Sequence, residues 1–191
     1  MQSVDDTPPD SIRGEYEKHG AADYYRKFGA TYRNPHESSV RRSITLAVEK
    51  WRPDLSHVLD LAAGSGEATL ALRELGARDI DGADPFTASA YQSRTGCEVE
   101  RLSFEDVAAG ALAGRAYSLV VCSFALHLCE PSRLPAVTYQ LSLVAPSLLI
   151  LTPHKRPHLR PEWGWELVGE EVVERVRSRF YRAASTIKGE G

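Results

Sequence analysis

Short apolar runs alternate along this chain with longer stretches in which apolar residues recur every three or four positions. The run Val58-Leu59-Asp60-Leu61 is too short for a helix. It breaks at Gly64 and Gly66 and gives way to helical spacing over 67–75, stopped by Gly76. That stretch predicts a strand, a tight loop and a helix. The alternation continues with a strand over 78–84, a helix over 88–94 ending at Gly96, and a strand over 97–102. A further strand over 117–122, a helix over 131–144 before Pro146 and a strand over 147–151 follow. The unbroken apolar character of 117–122 suits a strand covered on both faces. Strands and helices in turn predict an α/β protein with a parallel sheet.

Both ends read differently. Residues 12–28 are polar and rich in tyrosine, with Tyr16, Tyr24, Tyr25 and Tyr32 close together and Gly20 and Gly29 punctuating two short helical pieces. Residues 34–51 predict a helix with Asn34 as N-cap, Pro35 at the first position, Glu37 in the capping-box place and Pro53 beyond its end. In the tail, Arg175, Arg177 and Arg179 alternate with Val176, Ser178 and Phe180. Period two across Gly169-Glu170-Glu171 predicts an antiparallel hairpin, with a helix over 170–177 as the competing reading.

Composition narrows the class. The 191 residues, 42% hydrophobic and 26% charged, suit one soluble globular domain, 1–191. Residues 1–10 carry acids and prolines without an apolar core, and are expected to be a flexible tail and not a targeting peptide. No apolar run approaches the roughly 20 residues of a membrane span. A net charge of −3 argues against a strongly basic nucleic-acid binder. Cys97, Cys122 and Cys129 form no C-x-x-C pair and lie in or beside apolar runs, so reduced, buried thiols are expected. The expected location is the cytoplasm, with the nucleus also compatible. Cys122, His127 and Cys129 lack the spacing of a zinc knuckle, and no metal is expected.

The chemistry gathers at the glycine loop. Its glycines admit close backbone approach, and the helix beyond offers unpaired N–H groups and a positive dipole end. A dinucleotide fingerprint needs a small third residue, and aligning Ala62 and Gly64 to its first glycines puts Glu67 there, which argues against NAD. The pattern Asp60-x-Ala62-x-Gly64-x-Gly66 instead resembles motif I of class I S-adenosylmethionine-dependent methyltransferases, with Ala62 in place of the first glycine. Asp84, 20 residues after Gly64 in Gly82-x-Asp84-x-Phe86, resembles their motif II acid, and Leu126-His127 resembles the end of the segment after their fourth strand. Ser103 and Ser118 depart from the pattern, standing where the family usually carries acids. The resemblance spans about 58–151, with the hairpin beyond.

It implies a Rossmann-like three-layer α/β/α sandwich over 53–191, with a mostly parallel seven-stranded sheet closed by a C-terminal antiparallel hairpin. Residues 11–52 would form an N-terminal helical lid over the site. S-adenosylmethionine is the implied cofactor, held through Asp60, Ala62, Gly64 and Gly66 in the loop, Asp84, Pro85 and Phe86 after the second strand, Ser103, Phe104 and Glu105 after the third, and Ser123 and Phe124 after the fourth. His127, His154 and Tyr25 are the candidate catalytic groups, His127 reading equally as a packed structural residue. No Asn-Pro-Pro-Tyr or Asp-Pro-Pro-Tyr run follows the fourth strand, which favours a small-molecule acceptor. RNA or protein methylation through the basic 154–160 loop is the alternative. Ser103 and Ser118 motivate another, a binding or scaffold module that has lost turnover. The oligomeric state is left open.

Overall fold

The computed structural model of the protein describes residues 21–184. The expected tail over 1–10 and the first part of the expected lid, 11–20 with Tyr16, lie outside the described residues. One seven-stranded sheet organises the rest, in the order β3-β2-β1-β4-β5-β7-β6. Its strands are β1 (Val58–Leu61), β2 (Ile80–Ala83), β3 (Val99–Glu100), β4 (Leu119–Ser123), β5 (Ser147–Thr152), β6 (Trp165–Val173) and β7 (Val176–Ala183). Pairing is parallel from β3 through to β5, and antiparallel from β5 to β7 and from β7 to β6. The order reverses between β1 and β4, which opens a crevice at the carboxyl ends of the central strands.

Among the described residues six helices surround the sheet: α1 (Ala21–Phe28), α2 (Glu37–Trp51), α3 (Glu67–Glu74), α4 (Ala88–Thr95), α5 (Phe104–Ala108) and α6 (Leu134–Val144). Successive strand residues point to opposite faces. Leu59, Val120, Cys122, Leu148 and Ile150 join the core under α5 and α6, whereas Val58, Leu119, Val121, Leu149 and Leu151 join the core under α2 and α3. Both faces are covered, which is why these strands read as continuous apolar runs. The result is the Rossmann-like three-layer arrangement, and the hairpin closes it.

Local expectations are corrected in four places. The strand expected over 97–102 keeps only Val99–Glu100, because at the sheet edge it pairs only with Gly82 and Ala83 of β2. Asn34 does not cap α2: the helix starts at Glu37, and the Asn34 side chain accepts the His36 N–H (2.9 Å) in a turn before it. Residues 169–171 lie inside β6, and the chain turns at Glu174 and Arg175, both with positive φ (50° and 69°), as a two-residue hairpin loop demands. Cys97 is exposed, unlike Cys122 and Cys129.

Candidate active site

Beyond Leu61 the chain turns through Ala62, Gly64 and Gly66 into α3. Ala62 adopts φ 56°, a left-handed conformation that costs a side-chain-bearing residue about 1–2 kcal/mol. Gly66 takes φ 85°, and a Cβ there would collide with Thr95 Cγ2 and stand 3.3 Å from the Tyr91 ring. Its missing side chain makes room for Thr95 of α4, and Gly66 does not line the cavity at the carboxyl ends of the strands. Asp60 is also set back from the cavity. It is fully buried and its Oδ2 accepts the Thr69 N–H (3.0 Å) and hydroxyl (2.6 Å), bracing β1 against α3. Burial pushes its carboxyl up to about 7, against the opposing pull of the Thr69 hydrogen bonds.

A cavity of about 210 Å³ opens at the carboxyl ends of β1, β2 and β4. The structure brings together there Ala62, Gly64, Asp84, Pro85, Phe86, Ser103, Phe104, Glu105, Ser123 and Phe124, with Tyr25 from α1; Asp60 and Gly66 do not line it. Asp84 is held from several sides: Oδ2 accepts the Gly64 N–H (3.1 Å), and Oδ1 accepts those of Phe86 (2.8 Å) and Thr87 (3.0 Å). Phe124 is strained, with φ 56°, and is kept there by its N–H to the Leu151 carbonyl (2.8 Å) and by stacking on His36 at 5.5 Å.

The lid segment closes one side. Gly29 packs so tightly on the loop after β2 that an added Cβ would lie 2.5 Å from the Phe86 carbonyl oxygen. Tyr25 and Tyr32 line the cavity and meet edge to face at 5.1 Å. Beneath them lies Glu67, the first residue of α3. Its Oε1 accepts the Asn34 N–H (3.2 Å), the Ser65 hydroxyl and the Arg94 guanidinium (3.0 Å), and Arg94 reaches on to Glu37 at 2.5 Å. A buried ion pair thus ties lid, glycine loop and α4 together.

His127 and His154 do not line this cavity. They stand against each other, ring centroids 4.4 Å apart, on the loops after β4 and β5. His127 Nδ1 is buried without a hydrogen-bond partner among the described residues. Burial, helped by His154, holds His127 well below its ordinary value, at about 4. The two departing serines also have structural occupations. Ser103 caps α5 in a reciprocal box with Asp106, and Ser118 stitches the amino end of β4 to Asp54 and His57, at the opposite ends of the strands from the cavity.

No family model matches the chain. An uncharacterized protein of Schizosaccharomyces pombe (strain 972) is 34% identical to it, over 95% of each. The chain belongs to one family with that yeast protein. Its fold is that of class I methyltransferases. The magnesium protoporphyrin IX methyltransferase of Synechocystis PCC 6803, solved with bound S-adenosylmethionine, superposes with a TM-score of 0.56 at 17% identity, over 96% of this chain and 98% of that one. Mitomycin 7-O-methyltransferase superposes at 0.64 with 11% identity, over 90% of this chain and 60% of that one. At such identities the likeness is one of fold.

Sequence reasoning passed over Glu67, Tyr32 and Asn34 as site residues. Glu67 carried a signal, an acid directly after the glycine loop, but it served only to argue against NAD. Tyr32 was read only as one of the clustered lid tyrosines, and Asn34 only as a helix cap, because the packing of the lid is what brings them to the cavity.

Proposed function

We propose that this protein is an S-adenosylmethionine-dependent methyltransferase acting on a small-molecule acceptor. One observation carries the reading: the residues lining the cavity include Glu67, Asp84, Glu105 and Glu130 and no lysine, arginine or histidine. Arg94 and Arg133 pair with three of these acids without lining the cavity themselves. A cofactor bearing a sulfonium and an ammonium fits such a wall, and the pyrophosphate of a dinucleotide does not. Bound there, S-adenosylmethionine supplies a methyl group activated by the positive sulfur, open to attack by an acceptor nucleophile.

The chain's own residues account for the rest. Asp84, fixed by three backbone N–H groups, presents its remaining lone pairs to ribose hydroxyls. Phe86, Phe104 and Phe124 supply apolar walls, and the Tyr25 and Tyr32 lid limits water. Alignment and exclusion of water can then provide much of the rate. Of the three candidate catalytic groups only Tyr25 lines the cavity, where its hydroxyl can orient the acceptor, and a proton leaving the acceptor passes to solvent. Ser118, at the amino end of β4 and away from the cavity, takes away part of the motive for a module without turnover.

Calorimetric titration with S-adenosylmethionine and S-adenosylhomocysteine tests the reading. Binding is expected for both and is expected to weaken at least tenfold in Asp84→Ala. No heat from either ligand in the parent protein would sink the proposal.

A further inference from the structure

A second cleft lies beside the cavity, between the turn after β4 and the loop after β5. The two share a wall residue, Cys129. Its floor is apolar, with Leu126, Pro131, Leu134 and Trp163, and its other lining includes Arg156, His158 and Arg160 and no carboxylate. The signs of charge on the two sides of Cys129 are therefore opposite.

The cleft is built and not merely a solvated loop. Arg179, 1% exposed in the middle of β7, donates to the carbonyls of Lys155 and Pro157 (2.8 Å each) and to Glu170 (2.5 Å). The Leu159 N–H reaches the Tyr181 hydroxyl at 3.4 Å. These bonds hold the loop in one shape from beneath. Glu170 pairs with both Arg177 and Arg179 and leaves one positive charge over, whereas Arg156 and Arg160 have no carboxylate partner among the described residues; Arg160 lies over the Trp163 ring at 5.4 Å. His158 is held below its ordinary value by burial and by Arg179, Arg177 and Arg156 against Glu170, in keeping with a positive potential there. His127, with its unpartnered buried nitrogen, lines the same cleft.

We propose that this cleft binds the anionic end of the methyl acceptor, a small molecule with an aromatic or apolar body and a carboxylate or phosphate. The apolar floor takes the body, and Arg156 and Arg160 take the anion, with the bidentate donors that suit either group. The proposal rests on the methyltransferase reading above and deepens it.

The test follows the Trp163 indole signal by NMR in protein saturated with S-adenosylhomocysteine, assigned through Trp163→Phe. Phenyl phosphate or benzoate is expected to move that signal, and benzyl alcohol at the same concentration is not. Arg156→Ala/Arg160→Ala is expected to bind the anionic probes at least tenfold more weakly while keeping its S-adenosylhomocysteine affinity within twofold. Unchanged phenyl phosphate binding in that variant overturns the proposal. Inorganic phosphate binding as tightly as phenyl phosphate overturns it in favour of a free-anion site. A single-stranded RNA that displaces phenyl phosphate with steep salt dependence overturns it in favour of a polyanion substrate. Absence of S-adenosylhomocysteine binding in the parent is a separate result, and it removes the methyltransferase reading instead.

Discussion

Asp60 shows how a residue read as a ligand can be a brace. Its carboxyl, at about 7 in the fold, lies above the ordinary 3.8 of an exposed aspartate. Between these values the folded state holds a proton that the unfolded chain has lost, so stability falls as pH rises from about 4 to about 7 and is level above. Asp60→Asn keeps an acceptor for the Thr69 N–H and hydroxyl. It is expected to be more stable than the parent near pH 8, by up to about 4 kcal/mol, and to lose that slope in urea titrations across the range. His127 acts in the other direction. Its folded value of about 4 lies below the ordinary 6.5, so its contribution is present above about 6.5 and is lost as pH falls through 4. In Asp60→Asn, with the opposing slope removed, stability should fall visibly on acidification over that window. The sequence showed that Asp60 belonged to the loop motif. It could not show which side of the loop the carboxylate faces, because that depends on where Thr69 lies one turn into α3.

Among the elements, the lid and the hairpin are held by ion pairs of different worth. Arg94 is 11% exposed and Glu67 5%, so removing the guanidinium strands a buried carboxylate. Arg94→Ala is expected to cost about 3–5 kcal/mol in chemical denaturation and to speed proteolysis of the segment around Asn34. The hairpin turn is tuned less well. Glu174 and Arg175 both occupy left-handed backbone, which asparagine and glycine adopt more readily, and Glu174 is repaid by contacts to Ser39 and Arg42 (3.1 Å each). Arg175 has no such contact among the described residues, so Arg175→Gly should raise the thermal midpoint by about 2–4 °C, corresponding to about 1 kcal/mol. The hairpin itself was legible from period two. Its turn was not, since neither residue carries the glycine or asparagine signature by which such turns are found.

At the scale of the molecule, the crevice between β1 and β4 gathers the ends of strands far apart in sequence. Ligand binding there should stabilise the fold as a whole. At about a hundredfold excess over its dissociation constant, S-adenosylmethionine is expected to add about 2.7 kcal/mol and to raise the melting midpoint by roughly 5–10 °C in a thermal-shift assay. The same rise in Asp84→Ala at that concentration would show that the ligand lies elsewhere. No helix among the described residues is long and apolar enough to cross a membrane.

The sequence alone determined the strand and helix alternation, the glycine loop, Asp84 at the end of β2 and the doubly covered sheet. Each is written in local periodicity or in spacing within one β-α-β unit, where backbone geometry leaves little choice. Only the tertiary structure decided that Gly66 makes room for Thr95, that Glu67 lies in the cavity wall, and that His127 stands with His154 beside a basic cleft. Those facts depend on how separate elements pack. A side chain's neighbours across a layer come from other segments of the chain, beyond the next element in sequence, and local spacing carries no record of them.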